Sequence, residues 1–466
     1  MSLSANRPRR AAERSPGVRL LFALLIAAAL AAPLMLVYAL VWDRNHEADQ
    51  ARSSIVDGWG GRQVMTGPYL AIPYQHDITR TAVENGQSVT RTERGWDELV
   101  LWPRTLRMDT RLDPQTRRRA IYSATVYQAV AEGEARFDLP ADLAGVDPGS
   151  LVFSRAELRM GLSDPGGFFG DPPRMTLDGH PAVLQPGHGP RATGSAGVFA
   201  PVDASALKAR AVTVSFDERF RGNTALALVP RAADTQWRVR SAWPDPSFKG
   251  RFLPAERSVD DKGFDAQYRV GNLAIGRSLI GDDQTELAID ADTGPDHPTL
   301  APGVSAPPTA EVDLLQPIDV YSQVDRATKY GFLFIGFTFL LLLMFDLVGG
   351  TRVAPAEYLL VGAALVLFFV MLLAFAEVTG FLAAYLIAST AIVALVTAYS
   401  AAILGSLRRA GFVAALLTAL YASLYLLLNL EAYALLVGAV MLFVALAGVM
   451  WATRKVDWSG RAATAA

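Results

Sequence analysis

Apolar residues are spread unevenly along this chain. One run, Leu20 to Trp42, holds 23 residues without a charge. Five more follow near the other end: Tyr330–Phe345 (extendable past Asp346 to Val348), Tyr358–Ala376, Val378–Leu407, Ala410–Leu430 and Ala432–Thr453. A helix needs about 20 apolar residues to cross a bilayer's hydrocarbon core. Each run therefore suffices for one crossing and none for two, and the pattern predicts six transmembrane helices. The first run follows Arg7, Arg9, Arg10, Arg14 and Arg19. It is longer than the roughly 7–15 apolar residues of a cleavable signal peptide, so it reads as an uncleaved anchor. Pro33 within it is tolerable in a membrane helix.

Between anchor and bundle the texture changes to short runs broken by Gly, Pro and Asp, such as "GPYLAIPY", "ELVLWP", "RRRAIYSATVYQAVAEGEARFDL", "SLVFSRAELRMGL", "ARAVTVSFDERF", "QWRVRSAW" and "GFDAQYRV". Several alternate strictly: Val212, Val214 and Phe216 are interleaved with Thr213 and Ser215. Period-2 alternation marks half-buried antiparallel strands. The expected fold is a polytopic α-helical membrane protein with a large, mostly antiparallel, sandwich-like β-domain. "WDRNHEADQARSSIVDGWG" continues the anchor as a helix, "QPIDVYSQVDRATKYG" starts another with Asp319 as its cap, and the acidic, Pro-rich stretch 281–309 reads as a flexible loop.

Charge fixes the expected orientation. Arg352, Arg408, Arg409, Arg454 and Lys455 fall on the side of the Arg-rich N-terminal tail, while the opposite turns, "AEVTG" and "NLEAY", hold no Lys or Arg. By the positive-inside rule both termini are cytoplasmic. The domains expected are a cytoplasmic tail (1–17), the first span (18–42), a β-rich domain outside the cytoplasm (43–328), a five-span bundle (329–454) and a second cytoplasmic tail (455–466).

The composition narrows the chemistry. The chain has no cysteine among its 466 residues, so disulfides and thiolate chemistry are excluded. Net charge is −2, and the middle of the chain shows no basic stripe of the kind nucleic acids need. The histidines at 46, 76, 180, 188 and 297 form no metal-binding spacing. "SALK", Ser205 to Lys208, matches the S-x-x-K of penicillin-recognising enzymes but lacks the K-T-G and S-D-N partners. "GHGPRATG" lacks the ending of a phosphate loop. No catalytic residue, cofactor or metal is expected from these residues.

Two constellations remain. Glu377 and Glu431 each occupy a hairpin turn on the outer face without a basic neighbour in sequence. They either mark helix ends, with Asn429 closing a helix, or form a polar site with Lys329 or Arg326, the nearest bases expected on that side. In "SAWPDPSFKGRFLP", Trp243, Phe248, Lys249 and Arg251 form either a rigid turn closing the sandwich or a recognition loop.

At this point the sequence resembles the CreD family of inner-membrane proteins. The resemblance rests on "GWGGRQVMTGPYLAIPY", on "SAWPDPSFKGRFLP" with "GFDAQYRV", and above all on "DLLQPIDVYSQVDRATKYGFLFIGFTF" and the run from "EYLLVGAALVLFF" through "LYASLYLLLNLEAYALLVGAVMLF" to "TRKVDW". The match is densest from Val312 to Trp458. Departures are Val378 and Ala354, where the family carries His, Ala432, where it carries Asp, and a longer 281–309 segment. A His–Glu proton pair is therefore not carried over. The resemblance implies a bacterial inner-membrane location with the outer β-domain periplasmic, and a role in envelope integrity and envelope stress, with no established reaction. Three function classes stay open: a protein whose β-domain contacts an envelope protein, lipid or glycan; a transporter or channel; and an enzyme acting on lipid or glycan at the outer face. The bilayer is the one partner implied throughout, and nothing indicates the oligomeric state.

Overall fold

The structure, a computed structural model, describes residues 16–84, 87–120, 122–281, 307–314, 320–347, 354–429 and 434–454. The helices are α1 (Pro16–Val56), α2 (Asn272–Ile275), α3 (Val320–Lys329), α4 (Gly331–Leu347), α5 (Pro355–Thr379), α6 (Phe381–Leu404), α7 (Leu407–Asn429) and α8 (Ala434–Thr453). The chain divides into a helical unit, 1–49 with 318–466, and a β unit, 50–317.

In the helical unit the described part of each expected apolar run is mostly helical, with breaks at Gly380 and at Gly405–Ser406. Four described helices (α1, α5, α6, α7) are long and apolar enough to cross a membrane, or five if α3 and α4, bent by 41° at their junction, count as one span. The expected number was six. The difference arises because α4 alone has 17 residues and because the apolar stretch described within α8 is only Gly438–Gly448.

The anchor does continue as helix to Val56, with Pro33 inside it. Leu30, Val37, Val41 and Ala48 are its buried positions, a narrow stripe at helical spacing. At Gly362 a Cβ would lie 2.0 Å from Leu30 Cδ1, so α1 approaches α5 where only glycine fits. On α3, Tyr321, Val324, Ala327 and Thr328 are buried and recur at helical spacing, as an amphipathic helix requires. The chain reverses between α5 and α6 at Gly380, whose φ is +80°, a backbone conformation that favours glycine. Between α6 and α7 the turn uses Gly405 in the left-handed region. At the start of α5, Pro355 takes the first helical position and the Glu357 carboxylate accepts the Ala354 N–H at 2.7 Å. Phe368, Phe369, Tyr385 and Tyr421 form the aromatic centre of α5–α7, with the Tyr385 hydroxyl donating to the Tyr421 carbonyl at 2.7 Å.

The β unit holds strands β1 (Gln63–Glu84), β2 (Gln87–Leu101), β3 (Thr105–Arg119), β4 (Tyr122–Phe137), β5 (Ala156–Leu162), β6 (Arg174–Leu177), β7 (His180–Pro181), β8 (Gln185–Pro186), β9 (Gly197–Val202), β10 (Val212–Asn223), β11 (Ala225–Val229), β12 (Asp234–Ser241), β13 (Pro246–Gly250), β14 (Glu256–Asp260), β15 (Gly263–Gly271), β16 (Ile280–Gly281) and β17 (Ala310–Leu314). One sheet runs β13-β17-β11-β1-β5-β9-β8, with β2 pairing β1 and β16 pairing β2. The other runs β14-β15-β12-β3-β4-β10-β6-β7. Pairing is antiparallel except β1 with β11 and β3 with β12.

A single core joins the two sheets. Met65, Leu70, Ile72, Leu158 and Val312 come from the first, and Leu106, Phe137, Val214, Phe220 and Trp237 from the second. The alternation read in the sequence decides this: Val212, Val214, Phe216 and Phe220 of β10 point inward, while Thr213, Ser215 and Asp217 do not. Two buried hydroxyl groups tie the core polar ends together. Tyr127 donates to the Ala225 carbonyl of the other sheet at 2.8 Å, and Trp237 Nε1 donates to Thr110 Oγ1 at 3.0 Å. The stretch 281–309, expected as a loop, falls outside the described residues from 282 to 306.

Candidate functional site

In the helical unit Glu377 sits near the C-terminal end of α5, with its side chain 20% exposed. The Tyr321 hydroxyl of α3 donates to Glu377 Oε1 at 3.3 Å, and Arg44 Nε of α1 lies 3.9 Å from the same oxygen. Arg44 also pairs with Glu47 at 2.9 Å. Three helices thus meet at one carboxylate. The base beside it is not Lys329, which pairs at 2.6 Å with Asp325 one turn back on α3. Arg326 lies on that same helix. In sequence, Arg326 and Lys329 are the nearest expected bases and Arg44 gives no such signal, because "WDRNHE" reads only as helix continuation. Asn429 Nδ2 donates to the Tyr425 carbonyl at 2.8 Å, so its amide bonds the last turn of α7. Glu431 lies outside the described residues.

In the β unit the four residues of "SAWPDPSFKGRFLP" separate. Trp243 and Phe248 pack on the core, and the Phe248 ring meets Phe264 edge-on at 5.8 Å. Lys249 Nζ is 2.5 Å from Asp313 Oδ2. Arg251 is exposed. Lys249 belongs to a larger network that the sequence did not reveal. Glu311 and Asp313 alternate with the inward Ala310, Val312 and Leu314 of β17, and both carboxylates are almost wholly buried. Arg62 reaches both, bonding Glu311 and lying 3.7 Å from Asp313. A buried carboxylate keeps its charge only with such a partner. The signal available was the alternation in "AEVDL" itself.

A second missed acid is Glu218 on β10, at 3% exposure among the inward Phe216 and Phe220. Its Oε1 has no hydrogen-bond partner among the described residues. Burial, helped by the neighbouring Asp217 charge, pushes its carboxyl up to about 8. The alternation in "VTVSFDERF" already puts Glu218 on the apolar side.

On the β1-β5-β9 sheet, Glu157 gathers His188 Nδ1 at 2.9 Å and Arg159 Nη2 at 2.7 Å, and Arg159 also binds Glu98 at 2.7 Å. Burial acts to raise the Glu157 carboxyl, but hydrogen bonds from His188 and Arg159 outweigh it and hold it below its ordinary value. The His188 ring stacks on Phe199 at 4.0 Å. This cluster fixes the "GHGPRATG" segment to the sheet. Ser205–Lys208 forms a 3-10 turn, with Lys208 Nζ 5.2 Å from the Phe153 ring. Among the described residues no group of three or more His, Asp or Glu side chains is placed to hold a metal ion.

The comparisons with known proteins agree with this architecture. The family described as "Inner membrane protein CreD" matches residues 15–459. A relative, Inner membrane protein CreD of Escherichia coli (strain K12), is 30% identical over 426 residues, covering 91% of this chain and 90% of its own. A match of this length spans the anchor, the β unit and the helices that follow, and the chain belongs to the CreD family of inner membrane proteins.

Proposed function

We propose that this chain crosses the inner membrane six times, with both termini cytoplasmic and the β unit periplasmic, and supports envelope integrity under stress without catalysing a reaction. In this reading the β unit docks an envelope protein, lipid or glycan. The observation that carries the reading is the use made of Glu377. The described acid best placed for chemistry in the helical unit is engaged by Tyr321 and Arg44, residues of two other helices. An acid tied into a helix junction holds elements together rather than turning over a substrate. The basic residues Arg408, Arg409, Arg454 and Lys455 in the sequence support the orientation.

The test is site-specific photo-crosslinking in native membranes from exposed positions of the β unit, such as Val183 and Leu253. A discrete crosslinked envelope component is expected. Its absence at every exposed position, with the protein correctly inserted, removes the docking role.

One feature favours transport of an apolar molecule as the second reading. A groove of about 1020 Å³ runs between α6 and α7, lined by Leu, Ala and Val with the hydroxyl groups of Tyr385, Ser389, Thr390, Thr397 and Thr418. Among the described residues no charged side chain lines it. Such a lining suits a lipid chain and not an ion. Lipid exchange between proteoliposomes that is lost on Ala398→Trp would favour this reading.

A further inference from the structure

The eight-stranded sheet carries a cleft that the proposed function has not used. It has a volume of about 620 Å³ and crosses the face turned away from the core, from Glu256 of β14 to Ser215 of β10. At about 4.8 Å between strands, crossing from β14 to β10 takes roughly 24 Å, room for a short oligomer. Strand register lines the cleft with two polar rows. In one, Gln267 of β15 stands opposite Arg238 of β12, Arg238 opposite Asp109 of β3, and Asp109 opposite Glu132 of β4. In the other, Gln236 of β12 stands opposite Arg107 of β3, Arg107 opposite Glu134 of β4, and Glu134 opposite Ser215 of β10.

The two rows use their charges differently. In the first, Arg238 Nε bonds both oxygens of Asp265, at 3.0 and 3.1 Å, and Asp109 accepts from Arg240 at 2.7 Å. These diagonal pairs hold one wall of the cleft in place. In the second, Arg107 and Glu134 stand directly opposite each other, where opposite charges ordinarily pair across strands. Yet among the described residues neither makes an ion pair or a side-chain hydrogen bond, and nor do Glu132 and Gln267. All four are exposed. Gln236 Nε2 donates to Asp234 at 2.8 Å, which leaves its carbonyl oxygen for another donor. Elsewhere on this sheet the charges do close, as Arg174 with Asp217.

We propose that this cleft binds an N-acetylated oligosaccharide. The proposal rests on the reading that the β unit docks an envelope component, and it names that component's chemistry and place. The side chains select the ligand. A guanidinium only donates and a carboxylate only accepts, so a row that sets them side by side suits groups that do both, as sugar hydroxyls do. A polyanion calls for donors alone and a polycation for acceptors alone, whereas arginines and acids are nearly balanced here. The large apolar residues of the lining, Met108, Trp237 and Tyr268, are buried in the core, so an acyl chain finds no surface. An extended peptide adds to a sheet edge, but this cleft runs across strands whose backbones are already paired. The amides of Gln236 and Gln267 offer a donor and an acceptor each, the complement of an acetamido group that plain glucans lack.

The test uses the full chain in phosphatidylcholine nanodiscs and two uncharged sugars, chitotetraose and maltotetraose, followed by saturation-transfer NMR and calorimetry. Wild type is expected to bind chitotetraose about ten-fold or more tightly than maltotetraose. Because the ligand is neutral, that affinity should stay level as salt rises. Arg107→Ala and Glu134→Ala should each weaken it about ten-fold. Lys262→Gln, exposed in the turn between β14 and β15, should leave it unchanged. If either alanine variant unfolds, Ser215→Trp, which fills the cleft from an exposed position, must abolish binding by itself. No binding of chitotetraose, equal binding of the two sugars, or binding indifferent to these substitutions overturns the proposal. So does salt-sensitive binding of a peptide of mixed charge in the sugar's place. Crosslinks from Val183 or Leu253 to an envelope component that persist while no sugar binds would overturn the glycan assignment alone and leave the docking role standing.

Discussion

Glu218 shows how a single side chain sets a pH dependence. Its carboxyl is raised to about 8 inside the sandwich, above its value in the unfolded chain. Below the unfolded value both states hold the proton and Glu218 costs nothing through ionisation. As pH rises from there towards 8, the unfolded state releases its proton first, so stability falls, and it levels off above 8. Glu218→Gln should flatten that slope and, at pH 8, make the variant more stable than wild type relative to pH 5, by roughly 2–4 kcal/mol. Urea unfolding across that range measures it; an unchanged slope would show that Glu218 is ionised in the fold. Glu377 is the contrasting acid. Its arginine partner lies 3.9 Å away and is 42% exposed, so Glu377→Gln should cost only about 0–1 kcal/mol for the pair, plus the lost Tyr321 bond at roughly 1 kcal/mol. A double-mutant cycle should find coupling of Glu377 with Arg44 and none with Lys329. Of these two acids, one was legible by position alone: the turn at "AEVTG" marks Glu377 as a helix end. Glu218 was equally legible by parity, yet the apolar members of its strand drew the reading. Arg44 was not, because a helix continuing beyond the membrane gives no hint of which later turn it passes.

Elements were easier to read than their partners. The apolar runs gave every long helix, since a stretch without charge has no stable alternative in a membrane. The strands of β10 and β12 followed from alternation, but neither parallel pairing was visible, because period 2 gives each strand's faces without naming its neighbour. The same limit hid the Arg62–Glu311–Asp313 network, in which Arg62 and Glu311 are 249 residues apart in sequence. Its energetics separate its two cations. Arg62→Met leaves two buried carboxylates with less compensation and should cost roughly 3–5 kcal/mol, whereas Lys249→Met, at a base 43% exposed, should cost about 0–1. Thermal unfolding of the purified full chain distinguishes them; a larger loss for Lys249→Met would reverse this assignment of the central cation.

For the molecule as a whole, orientation is the prediction with most consequences. The chain has no cysteine, so single cysteines report cleanly. Val183→Cys, in the β unit and highly exposed, is expected to react with an impermeant maleimide in intact spheroplasts. Arg408→Cys, in the first turn of α7, should react only after permeabilisation. Reaction of Arg408→Cys from outside would overturn the six-crossing arrangement. The division into a β-rich part and an apolar helical part was legible because composition changes abruptly at both borders. How the first and last strands of the β-rich part meet was not, since only the register shows it.

That meeting has a mechanical consequence. Gln63–Thr66, the first residues of β1, run parallel to β11, and β17, the last strand, runs antiparallel along the other edge of β11. The chain therefore comes in and leaves at the same end of the sheet, with one strand between. Tension that pulls the anchor and the later helices apart would therefore load these two short ladders from that one end, so that their hydrogen bonds open in turn from it and do not resist together in shear. Arg62, bonded to Glu311 across the gap, acts as a clasp on that seam. A pull on the membrane ends would be carried by β1, β11 and β17, leaving the eight-stranded sheet and the faces it presents unstretched.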